Sequence, residues 1–165
     1  MSYAVAIDGP AGAGKSTIAK RVAEHLGILY LDTGAMYRAI GYAAIRSGIS
    51  PRDAEAVKGL LETTTIDIVF EQGAQHVLIN GQDVTSLIRT PEMSRAASDI
   101  SALPSVRLYL VARQREIAKT QSLVMDGRDI GSYVLPDAPY KFYLTASPDE
   151  RARRRLKDLK TAGHT

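Results

Sequence analysis

GPAGAGKS, residues 9–16, decides the fold class. It matches G-x-x-x-x-G-K-[ST] at every fixed position: Gly9, Gly14, Lys15 and Ser16. The context on both sides also fits. Residues 3–8 (YAVAID) form a short apolar run that reads as a buried strand. From residue 15 to residue 26, Ile18, Ala19, Val22, Ala23 and Leu26 recur at helical spacing, and Gly27 supplies a stop. A glycine-rich loop joining a strand to a helix lets the backbone wrap closely around an anion. Its N–H groups and the positive end of the helix then point at the oxygens. The loop residues Gly9, Pro10, Ala11, Gly12, Ala13, Gly14, Lys15, Ser16 and Thr17 are therefore expected to hold a nucleoside triphosphate. Lys15 is expected to reach the β- and γ-phosphates, and the Ser16 hydroxyl to bind Mg2+.

Outward from the loop, residues 28–31 read as a second strand, and 35–46 and 53–61 as helices. The pattern then changes. Residues 66–70, 77–79 and 84 read as short strands, with Asn80-Gly81 a strong hairpin turn. This stretch, about 63–89, reads as an inserted antiparallel subdomain within one domain spanning 1–165. Helical spacing returns at 92–101 and 106–120, and 123–126 and 141–144 are further strand candidates. Ser147-Pro148-Asp149-Glu150 carries the signature of a helix start. Alternating strands and helices predict an α/β fold with a parallel sheet flanked by helices.

The 165 residues include no Cys, which excludes a disulfide scaffold, a Cys zinc site and thiol catalysis. No apolar run approaches the length of a membrane span. The N-terminus lacks the basic region of a signal peptide, so a cytoplasmic protein is expected. The formal net charge is +3, but 1–150 holds 15 basic and 17 acidic residues, a net of −2. The excess sits in 151–165, where Arg151, Arg153, Arg154, Arg155, Lys157 and Lys160 cluster. Such a local cluster suits a polyphosphate better than a long duplex.

Two further clusters follow strand candidates, where open α/β sheets carry their sites. Asp32-Thr33-Gly34-Ala35-Met36-Tyr37-Arg38 places Arg38 about a turn into a helix that Asp32 or Thr33 caps. Asp126-Gly127-Arg128-Asp129-Ile130-Gly131 follows residues 123–125 (LVM). On local pattern alone, these also fit a capped helix with a solvated arginine and a loop ion pair. Ser98 and Arg107 flank a break at Pro104 and by themselves read as surface.

Taken together, GPAGAGKST, LDTGAMYR and DGRDIG, in this order and spacing, resemble the bacterial cytidylate kinase family over residues 3 to about 159. The hairpin insert is similar to that family's extra small sheet. The resemblance implies a P-loop nucleoside monophosphate kinase fold and phosphoryl transfer from ATP to CMP or dCMP. It implies that Thr33, Arg38 and Arg128 hold the acceptor phosphate, and that Ser98, Arg107 and Asp129 read cytosine. Asp126 would lie near Mg2+, and Arg151 and Arg155 would begin a lid over ATP at 150–165. Lys15, Arg128, Arg151 and Arg155 are then the catalytic cations. The chemistry agrees: a carboxylate suits the exocyclic amine of cytosine, while an Arg and a hydroxyl suit its acceptors. The resemblance also implies a further strand and helix after the lid, absent from this sequence, and a longer protein is expected. Small-molecule substrates, no nucleic acid, no membrane and a monomer complete the reading. An adenylate- or shikimate-type kinase is the alternative. A switch GTPase is disfavoured because no guanine-reading N-K-x-D occurs.

Overall fold

The structure, a computed structural model, describes residues 2–10, 12–145, 149, 152–153 and 155–157. It divides into two compact units, Met1–Leu31 with Ile117–Thr165, and Asp32–Glu116.

The first unit is built on a parallel sheet. Its strands are β1 (Ala4–Asp8), β2 (Leu29–Leu31), β6 (Leu123–Gly127) and β7 (Tyr140–Tyr143), in the order β2-β6-β1-β7. All five residues of β1 are buried, as expected of a strand paired on both sides. Helix α1 (Lys15–Leu26) covers this sheet with Ala19 and Ala23 against Val5, Ile7 and Val124. It ends as the sequence predicts: Gly27 N–H donates to Glu24 O, and Ile28 N–H reaches back to Ala23 O at 3.0 Å. Several boundaries shift by one residue. β1 starts at Ala4 and β2 at Leu29, one residue late in each case. β7 runs from Tyr140 to Tyr143 rather than over 141–144, and its four residues are exposed.

The second unit contains α2 (Thr33–Arg46), α3 (Ala54–Glu62), α4 (Pro91–Ser101) and α5 (Pro104–Thr120) as far as Glu116. It also contains an antiparallel sheet of β3 (Ile66–Glu71), β4 (Ala74–Ile79) and β5 (Gln82–Asp83). α2 and α4 pack closely, so that a Cβ on Gly41 would stand 2.9 Å from Ala96 Cβ. The Asn80-Gly81 turn has both residues at positive φ, 49° and 82°, as a type I′ hairpin requires. A second such turn, Gln72-Gly73 (φ 53° and 77°), was not expected, and it lets β4 start at Ala74 rather than at 77. The third strand lies at Gln82–Asp83, not at Val84, which is fully buried just beyond it. The expected cap at Ser147 lies outside the described residues. Asp149, Ala152, Arg153 and 155–157 are helical. No helix among the described residues is long and apolar enough to cross a membrane.

Candidate functional site

The loop between β1 and α1 opens with Gly9 at φ 155°, where any Cβ would collide with the Leu144 carbonyl. Gly9 N–H donates to Gly127 O at 3.1 Å, which ties the loop to the end of β6. Gly14 stands at the helix N-cap in the left-handed region and offers no side-chain acceptor. The N-cap thus supplies no side-chain acceptor at the positive end of α1, an arrangement that suits an anion. Beside this helix end lies a cavity of about 630 Å3, lined by 12–18 with Asp126, Leu144, Thr145 and Lys157. Ala11, at the tip of the motif, lies outside the described residues.

Lys15 is half-buried, and its Nζ donates to Pro10 O at 3.0 Å. Burial pushes its pKa below the ordinary lysine value. The Asp126 and Asp8 carboxylates oppose that shift, and Arg128 adds to it. The ammonium is therefore held in a place where it lacks a full counter-charge, and a polyphosphate would supply one.

Asp126 and Ser16 line the same cavity as Lys15. Tyr30, on β2, donates its hydroxyl to Asp126 Oδ1 at 2.6 Å and so fixes the carboxylate. A hydroxyl and a carboxylate on residues that line one cavity are hard oxygen donors. They fit Mg2+, which takes one or two protein ligands and fills the rest of its shell with water and phosphate.

Just beyond β6, Arg128 is exposed and Asp129 half-buried. They enter a single π-helical turn, Ile130–Val134, closed by Val134 N–H to Asp129 O and Leu135 N–H to Ile130 O at 2.7 Å. Asp8 organises this turn. Its Oδ1 accepts from Ile130 N–H at 2.7 Å and its Oδ2 from Gly131 N–H at 2.8 Å, both buried. The turn comes so close that a Cβ on Gly127 would stand 2.9 Å from Ile130. Sequence reasoning missed Asp8. The available signal was an acid at the end of a fully apolar strand, which is costly unless partnered.

In the second unit, Asp32 rather than Thr33 caps α2, with Oδ1 accepting from Ala35 N–H at 3.1 Å. Its Oδ2 lies 3.5 Å from an Arg38 terminal nitrogen. Arg38 Nε is buried without a hydrogen-bond partner among the described residues, and such a donor is costly to leave unpaired. Thr33, half-buried, is the first residue of the same helix. Ser98 is exposed on α4 and Arg107 half-buried on α5, on either side of the predicted break. Of the lid candidates, Arg155 is helical and exposed, while Arg151 lies outside the described residues. Leu144 and Thr145 were not foreseen on the cavity wall, since residues this distant in sequence from the loop carry no local signal, whereas Lys157 belongs to the basic cluster expected near a polyphosphate.

Comparison with known proteins addresses the whole chain. The family model described as cytidylate kinase matches residues 5–165. The chain is 51% identical over 160 residues to the cytidylate kinase of Caldicellulosiruptor bescii, covering 97% of this chain and 71% of that protein. It is 55% identical over 159 residues to that of Desulfitobacterium hafniense, covering 96% and 68%. It is also 50% identical over 161 residues to a bifunctional pantoate ligase/cytidylate kinase of a Synechococcus species, covering 97% of this chain and 33% of that protein. Agreement of this depth reaches both units, from the phosphate loop through LDTGAMYR to DGRDIG, and the chain belongs to the cytidylate kinase family.

Proposed function

We propose that this chain transfers the γ-phosphoryl group of ATP to CMP or dCMP, giving ADP and CDP or dCDP. The observation that carries the reading is the family match across 5–165, which spans the triphosphate loop and both acceptor motifs. It does not favour the adenylate- or shikimate-type alternative.

The donor triphosphate lies along the amides at the start of α1, with Lys15 against its β- and γ-phosphates. Ser16 and Asp126 would hold Mg2+, which would draw charge from the phosphate oxygens. Arg38, Thr33 and Arg128 grip the acceptor phosphate, and the buried Nε of Arg38 supports that role. Asp129, Arg107 and Ser98 read cytosine. An oxygen of the acceptor phosphate forms the new bond to the γ-phosphorus as the bond to the β–γ bridging oxygen breaks. No general base is needed, since the second phosphate pKa is about 6. Rate enhancement comes from alignment and from the cations Lys15, Arg128, Arg151 and Arg155. Residues 63–89 act as an insert serving the acceptor, and 150–165 as the start of a lid. The protein works as a cytoplasmic monomer without a nucleic-acid partner, in keeping with its slightly acidic body.

A coupled assay with ATP against CMP, dCMP, UMP, AMP and shikimate tests the reading. CMP and dCMP should lead, and a preference for AMP would overturn it. Arg38→Ala should lower kcat/KM for CMP by about 30–150-fold, the value of one charge-assisted contact of about 2–3 kcal/mol. ATP affinity should stay as in the wild type, and intact CMP turnover would remove Arg38 from the site.

Lys15 also predicts a pH effect. Its pKa is lowered in the empty loop and rises when phosphate charge arrives, so ATP binding takes up a proton in the alkaline window between those two values. ATP affinity should accordingly fall as pH rises through that window. Calorimetry in buffers of different ionisation enthalpy reads the uptake directly, above the phosphate pKa of about 6. Uptake that persists in Lys15→Met would assign the proton elsewhere.

A further inference from the structure

The small sheet is joined to the start of α2 by one side chain. Gln75, half-buried on β4, accepts from Asp32 N–H through Oε1 at 3.0 Å and donates from Nε2 to Asp32 O at 3.2 Å. Its amide thus bonds Asp32 as a neighbouring strand would, satisfying both main-chain groups of a residue that stands outside the helix it caps. The Asp32 carboxylate then acts in two directions, on Ala35 N–H at 3.1 Å and on Arg38 at 3.5 Å.

The far side of the sheet is anchored as well. Tyr109, on α5, donates its hydroxyl to Thr64 O at 2.8 Å, and Arg113 pairs with Asp67 on β3 at 3.1 Å. β3 and β4 are in continuous register from Ile66↔Ile79 to Glu71↔Ala74. The Gln75 amide therefore projects from a ribbon fixed at its other strand. A ribbon serving only to cover apolar surface has no need to grasp the backbone of a helix cap.

We infer that Gln75 is a positioning residue for the acceptor phosphate: it holds the Asp32 main chain, and through the Asp32 carboxylate it fixes the guanidinium of Arg38. This rests on the assignment of Arg38 to that phosphate made above. It gives the inserted sheet a function in binding, exerted through a residue that touches no substrate. The Arg38–Asp32 pair is long at 3.5 Å, so small shifts of Asp32 change where the guanidinium stands. Losing the Gln75 bonds should be felt in acceptor binding before it is felt in the chemical step.

The test is steady-state kinetics of the full chain with CMP, dCMP and ATP. The wild type is measured first, and absence of CMP kinase activity there refutes the functional reading and not the role of Gln75. Gln75→Ala should raise KM for CMP and dCMP in parallel by about tenfold, as a misplaced binding group does. KM for ATP should be unchanged, and kcat should change far less than KM for CMP. Gln75→Glu keeps the length and one acceptor but loses the donor and adds a charge beside Asp32. It should show the same split, and it is the variant to read should Gln75→Ala not fold. In an Arg38→Ala background, the Gln75 substitution should add nothing further to KM for CMP, because its effect passes through that guanidinium. A lowered melting temperature with KM for CMP at the wild-type value, or full additivity with Arg38→Ala, would reduce Gln75 to a structural tie and overturn the inference.

Discussion

Lys15→Met should lower kcat by about 10²–10³-fold at saturating ATP and CMP, the loss typical of removing one charge-stabilising donor from a transition state. Lys15 is the first residue of α1, is half-buried and lines the cavity, and its Nζ donates to Pro10 O at 3.0 Å. In the empty loop its charge is opposed by burial and only partly supported by Asp126 and Asp8. On the proposed reading the triphosphate supplies the counter-charge it lacks, and negative charge grows on the β–γ bridging oxygen as its bond to the γ-phosphorus breaks. Methionine keeps the length, the unbranched stem and a helix propensity close to that of lysine, so the fold should persist. KM for CMP should change little, because the proposed reading assigns the acceptor phosphate to other cations. The measurement is kcat for both forms beside their melting curves. A variant that folds normally and turns over within tenfold of the wild type would mean that backbone amides alone carry the charge.

The parts of this architecture that could be read from the sequence are local ones. The phosphate loop is a contiguous motif between a strand and a helix, and the cavity lies where it predicts. The α1 stop at Gly27 and the Asn80-Gly81 hairpin follow from single residues whose backbone needs are particular to them. Gln72-Gly73 makes the same kind of turn, but glutamine rarely takes positive φ, so the pair carries no comparable signal and β4 reads three residues too short. What escaped altogether is the web of side chains that bond distant backbone. Asp8 reaches Ile130 and Gly131 across more than 120 positions, Gln75 reaches Asp32 across 43, and Tyr30 reaches Asp126 across 96. Each depends on sheet order and register, which fix neighbours that no spacing rule along one chain can pair. The motifs were legible as contiguous strings, but the side chains that bond to their backbone and neighbours were not.

Asp8→Ala shows what that hidden layer is worth. Asp8 is 8% exposed, and both its carboxylate oxygens are engaged by main-chain N–H groups at 2.7 and 2.8 Å. Alanine leaves those two buried donors without an acceptor, at a cost of about 3 kcal/mol, which for a chain of this size lowers the melting temperature by about 6–12 °C. Asp8→Asn should cost less. Its carbonyl oxygen can still serve one N–H, while its NH₂ is set against the other. The loss should reach the chemistry too, because the turn begins directly after Arg128 and Asp129. Without the carboxylate to hold Ile130 and Gly131, the residues assigned to the acceptor phosphate and to cytosine lose their fixed base, and kcat/KM for CMP should fall even well below the melting transition. Removing Asp8 also takes away one of the two carboxylates that support the Lys15 charge, so the Lys15 pKa should fall further and ATP binding at alkaline pH should take up more proton. Thermal melts and kinetics on Asp8→Ala and Asp8→Asn, at a temperature where both are folded, test the two effects together. An unchanged melting temperature in Asp8→Ala would mean that the turn is held by other contacts. A lowered one with normal CMP kinetics would confine Asp8 to stability and leave Arg128 and Asp129 to be aimed by β6 alone.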